Sequence, residues 1–439
     1  NITAIEASAA GYYIALRNDG AVFGWQEEAA GGSVADTSGI PALSANVTSI
    51  YANGGGAFVA IKDNGDAVIW GEAGCGGSLD DLTSGEQTSL YAVLADLKTL
   101  HGTDCSFAAL SNAGNVVAWG DWCWGGTNDD TKSPFCNNVD FSTATTSGIE
   151  ALYVAGDDGG AAFAALAADG TVTAWGRDTR GGDVTNIETS LTDVSAMWSG
   201  PGGFVAEFSS GGIAAWGNSK IDQTVEESLT MSSYSNWTGV EVVDIVVIEK
   251  AAAVLWNTGR LDIWGSATEG GSVGVTLGQM LEHGVTEIIG GMSTFLARDP
   301  DSSPNLHMWG YSNGDFDETT SDATLPISLT NTLQNASIVE LTASSTSLYM
   351  IRTNTTVHYG FNNDYWNSLE NYQDVVGTLV GPTGDISILR CAQDTSCPVD
   401  CSSEWSEWSS CDVTCGNGTA TRTLNIFAVG AFGGTACPT

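Results

Sequence analysis

The chain has 439 residues, 42% of them hydrophobic, with 13 Lys plus Arg against 52 Asp plus Glu and a formal net charge of −39. Such acidity repels nucleic acid and anionic membrane surfaces, while the apolar and aromatic content excludes a disordered acidic tail. No run of about 18 apolar residues occurs, so the sequence offers no candidate membrane-spanning helix.

Read in order, the chain repeats one phrase. It is clearest at Ala161–Gly182, AAFAALAADGTVTAWGRDTRGG: an apolar strand, an Asp-Gly turn, a second strand ending in Trp-Gly, then a glycine pair. Asp169-Gly170 predicts a two-residue hairpin with positive φ at both positions. Seven other copies are YYIALRNDGAVFGW from Tyr12, AFVAIKDNGDAVIWG from Ala57, SFAALSNAGNVVAWG from Ser106, GFVAEFSSGGIAAWG from Gly203, AAVLWNTGRLDIWG from Ala252, FLARDPDSSPNLHMWG from Phe295 and LYMIRTNTTVHYG from Leu348. The anchor aromatics stand at 25, 70, 119, 175, 216, 264, 309 and 359. That period of roughly 40 to 50 residues is the spacing of propeller blades. A short strand precedes each unit, as in ITAIEAS, VTSIYAN, IEALYVAG, VTEIIGG and IVELTAS. The sequence therefore predicts an all-β fold, a β-propeller of eight repeat units with seven blades as the alternative, over residues 1–390.

The phrase resembles the repeat of the regulator of chromosome condensation family, apolar-Ala-Leu-x-x-Asp-Gly-x-Val-x-x-Trp-Gly. It departs in two ways. Eight units stand where the family typically closes with seven, and Gly-Gly replaces the usual Gly-Gln-Leu-Gly at Gly31-Gly32, Gly76-Gly77, Gly125-Gly126, Gly181-Gly182 and Gly270-Gly271. The resemblance implies the scaffold. Nucleotide exchange and chromatin binding do not carry over, because chromatin binding needs a basic surface.

Asp385–Arg390, DISILR, reads as one more strand that completes the ring against the first blade. Residues 391–400 form a Cys-containing linker, and the texture then changes. Residues 401–439 resemble an incomplete thrombospondin type 1 repeat, through Trp405-x-x-Trp408, Cys411-x-x-Thr414-Cys415-Gly416, Thr421-Arg422-Thr423 and Gly433-Gly434-x-x-Cys437. The resemblance implies a stack of Trp405 and Trp408 with Arg422, shortened because Leu424 stands where a second arginine often sits. It also implies C-mannosylation at Trp405 and Trp408, O-fucosylation at Thr414, a Cys401–Cys437 bridge, and partners for Cys411 and Cys415 beyond Thr439. Cys391 and Cys397 resemble the junction between tandem repeats and are expected to pair with each other. In the propeller Cys123 and Cys136 flank a loop, which leaves Cys75 and Cys105, on adjacent units, as a further pair; spacing alone does not fix this connectivity.

The ten cysteines, together with Asn-x-Ser/Thr sequons at Asn1, Asn46, Asn236, Asn335, Asn354 and Asn417, favour an oxidising, extracellular location. A chain beginning at Asn1 also suits a mature protein whose signal peptide has been removed.

Candidate chemistry is weak. Gly310-Tyr311-Ser312-Asn313-Gly314 matches a nucleophile elbow but sits inside a blade phrase, outside the strand-turn-helix context that motif needs. His101, His283, His307 and His358 are scattered without metal-ligand spacing, and Asp315-Phe316-Asp317-Glu318 lacks the spaced ligands of a calcium loop. No Cys-x-x-Cys pair suggests zinc, and the Asn53–Gly56 glycines lack a phosphate loop's Gly-Lys-Ser/Thr. The expectation is a non-enzymatic, cofactor-free secreted glycoprotein. It would be structural or adhesive, self-assembling or binding protein partners in a coat, matrix or filament such as a flagellar hair. The alternatives are a glycan- or protein-ligand binding module and, third, an enzyme with an unrecognised site.

Overall fold

In the second to seventh repeats the phrase and the strand before it form an antiparallel sheet whose middle strand is buried on both faces, which is why that strand reads as a continuous apolar run instead of an alternating one. Phe163 and Ala165 of the fourth sheet pack toward the third sheet, while Ala162, Ala164 and Leu166 pack toward the fifth. The sheets therefore stack face to face as propeller blades.

Blade 1 comprises Ile2–Ala7, Tyr12–Arg17 and Val22–Gln26; blade 2, Val47–Ala52, Ala57–Lys62 and Ala67–Gly71; blade 3, Leu97–Gly102, Ser106–Ser111 and Val116–Gly120. Blade 4 comprises Ile149–Asp157, Gly160–Ala167 and Val172–Arg177, with Cys136–Asn137 added at its edge. Blade 5 comprises Val194–Gly200, Gly203–Phe208 and Ile213–Gly217; blade 6, Val242–Val247, Ala251–Trp256 and Leu261–Gly265. Blade 7 comprises Glu287–Gly290, Thr294–Arg298 and Leu306–Gly310; blade 8, Ile338–Ala343, Leu348–Thr353, Thr356–Phe361 and Tyr365–Glu370. First strands of successive blades adjoin in chain order.

The computed structural model describes residues 2–8, 10–26, 36–121, 124–126, 136–137, 148–157, 160–184, 191–210, 212–221, 240–272, 281–291, 293–300 and 306–310, and beyond these the backbone of the strands at 338–343, 348–353, 356–361, 365–370, 375–380, 386–390, 402–405 and 424–428. Two compact units divide the chain: Asn1–Asn371 with Leu379–Ser387, and Tyr372–Thr378 with Ile388–Thr439. In the second, Ser402–Trp405 pairs antiparallel with Leu424–Ala428, and Leu424 lies opposite Trp405. The DISILR strand, Ile386–Arg390, pairs with Val375–Val380 and not with the first blade.

The turn at Asp169-Gly170 is longer than the two-residue hairpin its sequence predicts. The Ala167 N–H donates to the Thr171 carbonyl at 2.9 Å, the Gly170 N–H donates back to Ala167 O at 2.9 Å, and φ is +82° at Gly170. Asp169 keeps ordinary φ because its carboxylate is engaged within the turn, where it accepts from the Thr171 amide at 3.1 Å and hydroxyl at 2.6 Å. This is a type I turn closed by a left-handed glycine. The Gly170 carbonyl then accepts the Val194 N–H at 3.0 Å, so the turn anchors the first strand of the next blade.

The glycine pairs join the blades. Phe and Trp lie opposite each other across the hairpins of blades 2, 3, 4, 5 and 7, with stacked ring centroids 5.1 Å apart for Phe107–Trp119 and 5.4 Å for both Phe163–Trp175 and Phe204–Trp216. In blades 3, 4, 5 and 7 the indole then reaches the preceding blade, whereas the buried Trp70 Nε1–H of blade 2 has no partner among the described residues. Trp119, Trp175, Trp216 and Trp309 donate Nε1–H to the carbonyls of Gly76, Gly125, Gly181 and Gly270 at 3.1, 3.0, 3.1 and 3.2 Å. The first glycine of a pair must be glycine: Gly181 has φ +97°, and a Cβ there would stand 2.7 Å from Cδ2 of Phe204.

Blade 6 breaks the rule. Ala252 stands opposite Trp264 in place of Phe, and no glycine pair follows Trp216-Gly217. Among the described residues the buried Trp264 indole N–H has no hydrogen-bond partner, and Ile221 packs into the cluster around it.

Candidate interaction face and modification sites

The same packing rule identifies one blade face with no cover among the described residues. Tyr12, Ile14 and Leu16 of blade 1 pack toward blade 2. The opposite face carries Tyr13, Ala15 and Arg17, paired across the sheet with Trp25, Phe23 and Ile2 respectively. In blades 3, 4 and 7 the anchor tryptophan on this face is at most 1% exposed, whereas Trp25 is 46% exposed, Phe23 45% and Ile2 50%. Trp25 and Tyr13 stack at 5.5 Å with an interplanar angle of 11°. The Arg17 guanidinium lies 5.0 Å above the Phe23 ring. Its Nε donates to Asp19 Oδ1 at 2.6 Å, and Nη2 pairs with Asp19 Oδ2. This hydrogen bond raises the Arg17 pKa and lowers that of Asp19. The result is a flat aromatic platform with one neutralised ion pair at its edge, suited to apolar and cation–π contact.

Of the cysteines, Cys75 and Cys105 form a disulfide that joins blades 2 and 3. Cys75 immediately precedes the Gly76 acceptor of Trp119, so covalent and hydrogen-bonded ties meet at one seam. The backbone of Cys136 lies on the edge of blade 4, opposite Arg177. Cys123, Cys391, Cys397, Cys401, Cys411, Cys415 and Cys437 lie outside the described residues, as do Asn1, Asn236, Asn335, Asn354, Asn417, Trp408, Thr414 and Arg422. Trp405 is described as a strand position only. Asn46 is exposed at the start of blade 2.

Among the described residues the scattered candidates lie on separate blades. His101 is on the first strand of blade 3 and His307 on the third strand of blade 7; burial lowers the pKa of both, with Asp299 opposing the shift at His307. Among the described residues no group of His, Cys, Asp and Glu could hold a metal ion. Asn53–Gly56 is a hairpin: Asn53 is buried, donates Nδ2–H to Cys75 O at 2.7 Å and accepts the Ala57 N–H at 2.9 Å. Ser312 of the elbow-like motif lies outside the described residues.

One element escaped sequence reasoning although its signal was present. The helix Ser84–Ala95 packs Leu90, Val93 and Leu94 beside blades 2 and 3, and Thr83 with Glu86 forms a capping box at its start. The open face of blade 1 had no such signal, because its phrase has the same grammar as the buried ones.

Comparison with known proteins locates one module. Residues 403–439 match the thrombospondin type 1 domain family. Spondin-1 of Gallus gallus is 54% identical over 43 residues, and Spondin-1 of Homo sapiens 49% over 43; in each case the match covers 10% of this chain and 5% of the relative. The structural neighbours include yeast RCC1 (Prp20). Saccharomyces cerevisiae Prp20p, studied with its binding to Gsp1p and histones, is 16% identical with a TM-score of 0.37, over 73% of this chain and 76% of that one. Human WBSCR16 is 14% identical with a TM-score of 0.34, over 72% and 87% respectively. At such scores the blade architecture rests on the chain's own sheets.

Proposed function

We propose that this protein is a non-catalytic extracellular scaffold that contacts other proteins through its propeller, as a structural or adhesive component of a coat, matrix or filament. The carrying observation is the open face of blade 1, where Ile2, Phe23 and Trp25 expose what the neighbouring blades bury. The chemistry of its occupant follows from those neighbours. Each such face is covered by a sheet presenting small apolar residues at alternate positions, such as Ala162, Ala164 and Leu166. The partner surface that fits is therefore a β-sheet face of this kind. The thrombospondin type 1 domain and the Cys75–Cys105 disulfide support an oxidising, extracellular setting.

Negative-stain microscopy of native material tests this function. A periodic assembly, lost on Trp25→Ala with Phe23→Ala, is the expected result. A monodisperse monomer that retains a sugar on a glycan array through the same aromatic pair would replace the scaffold with a glycan-binding module. Turnover of any substrate in a broad hydrolase screen would overturn the non-catalytic assignment.

A further inference from the structure

We infer that Asn46 carries an N-linked glycan, placed at the rim where the blade 1 turn meets the first strand of blade 2; this rests on the extracellular setting proposed above. Asn46-Val47-Thr48 is the acceptor sequence, and two separate local features of blade 2 coincide with it. The residue before this strand is left-handed, with φ +67°, and Asn46 is the one non-glycine residue with positive φ among those described. Glycines fill the same slot ahead of blades 4 and 7, at Gly148 with φ +94° and Gly284 with φ +91°. Asn is the side-chain-bearing residue that adopts this conformation most readily.

Two positions later the strand bulges, between Val47 and Ser49. A hydroxyl there closes the bulge: Thr48 Oγ1 donates to Ile61 O at 3.1 Å, as Thr3 does to Leu16 O at 3.2 Å and Ser195 to Glu207 O at 3.1 Å. Left-handed Asn followed by bulge Thr is an acceptor sequence written by backbone geometry.

The carboxamide of Asn46 is also available. In blades 3 and 5 the slot holds an aspartate whose side chain caps the blade's own hairpin turn. Asp96 Oδ2 accepts the Ala113 N–H at 3.0 Å, and Asp193 Oδ2 accepts the Ser210 N–H at 3.1 Å. Asn46 meets its turn through the backbone alone, its carbonyl accepting the Asp63 N–H at 2.9 Å, while Val47 N–H donates to Gly20 O at 3.0 Å. Its exposed side chain makes no hydrogen bond among the described residues, so a glycan there displaces no contact. In the transfer, a bond forms between Asn46 Nδ2 and the sugar's C1. The C1–O bond to the pyrophosphate of a lipid-linked oligosaccharide breaks, and the amide proton leaves with that pyrophosphate.

The test is peptide mapping of the full chain secreted from a eukaryotic host, deglycosylated with an amidase in heavy-oxygen water. The Asn46 peptide is expected to carry Asp with heavy oxygen. Asn46→Gly, which suits the left-handed slot, should lose one glycan by intact mass, and Thr48→Ser should retain it. A secreted chain with Cys75–Cys105 oxidised and an unmodified Asn46 peptide would overturn this site alone. A chain retained in the cytosol with reduced cysteines would overturn the extracellular setting and the glycan with it.

Discussion

Replacing Trp216 and, separately, Trp264 with Phe isolates what the glycine pairs contribute. Both indoles are buried at consecutive seams, but Trp216 donates to Gly181 O at 3.1 Å while Trp264 has no acceptor among the described residues. The loss of ring volume is common to both substitutions. Trp216→Phe also removes a hydrogen bond worth about 1 kcal/mol net and leaves the Gly181 carbonyl without that donor. Trp264→Phe removes a buried N–H that was unsatisfied, which offsets part of its packing loss. The expected gap is about 1.5 kcal/mol, or slightly more than tenfold in a local opening constant. Amide hydrogen exchange on the peptides spanning Gly203–Phe208 and Ala251–Trp256 reads each seam directly, without requiring the whole chain to unfold in two states. Equal destabilisation at the two seams, or a larger loss at Trp264, would refute the idea that the indole–glycine hydrogen bond holds blade to blade.

Three further outcomes are expected. Gly181→Ala should weaken the blade 4–5 seam by about 2 kcal/mol or more, since φ is +97° there and the new Cβ would meet Phe204; Gly39→Ala, with nothing within 4 Å, should be neutral in the same thermal melt. Replacing Cys75 and Cys105 together with Ser removes a cross-link spanning 30 residues, for a loss of about 3.5 kcal/mol by chain entropy, read as a lower thermal midpoint than that of the oxidised wild type. Burial pushes the Glu6 carboxyl from 4.5 up to about 7, so the folded chain holds its proton more tightly than the unfolded one. Glu6 therefore contributes stability at acid pH that is lost as pH rises through that window, and the thermal midpoint of Glu6→Gln should fall less than the wild type's between those values. His101 and His307, lowered by burial, act in the opposite sense as pH falls, and their contribution is common to both proteins.

The repeat grammar was legible because each phrase answers to local and near-neighbour physics. The Trp-Gly stops and the apolar middle strands follow from residue type and spacing, and the thrombospondin motif is dense in diagnostic cysteines and tryptophans; the capping box at Thr83 carried the same kind of local signal but was not read as a helix. The turn at Asp169 was not legible in the same way, because Asp-Gly suits two turn types and the choice lay with the Asp169–Thr171 hydrogen bonds. Asn46 was visible as one sequon among six, but only the structure shows its unengaged carboxamide beside the capping carboxylates of Asp96 and Asp193.

What the sequence determined by itself was the period, the strands and their Trp-Gly ends, since these are set within one repeat by backbone sterics and burial. The tertiary structure decided what each piece touches. It made Gly181 the acceptor of an indole 35 residues away, left Trp264 without one, and covered Trp119 while exposing Trp25 in an equivalent phrase. The reason is physical: a blade's chemistry is local, but whether its face is buried depends on the neighbour that stacks against it.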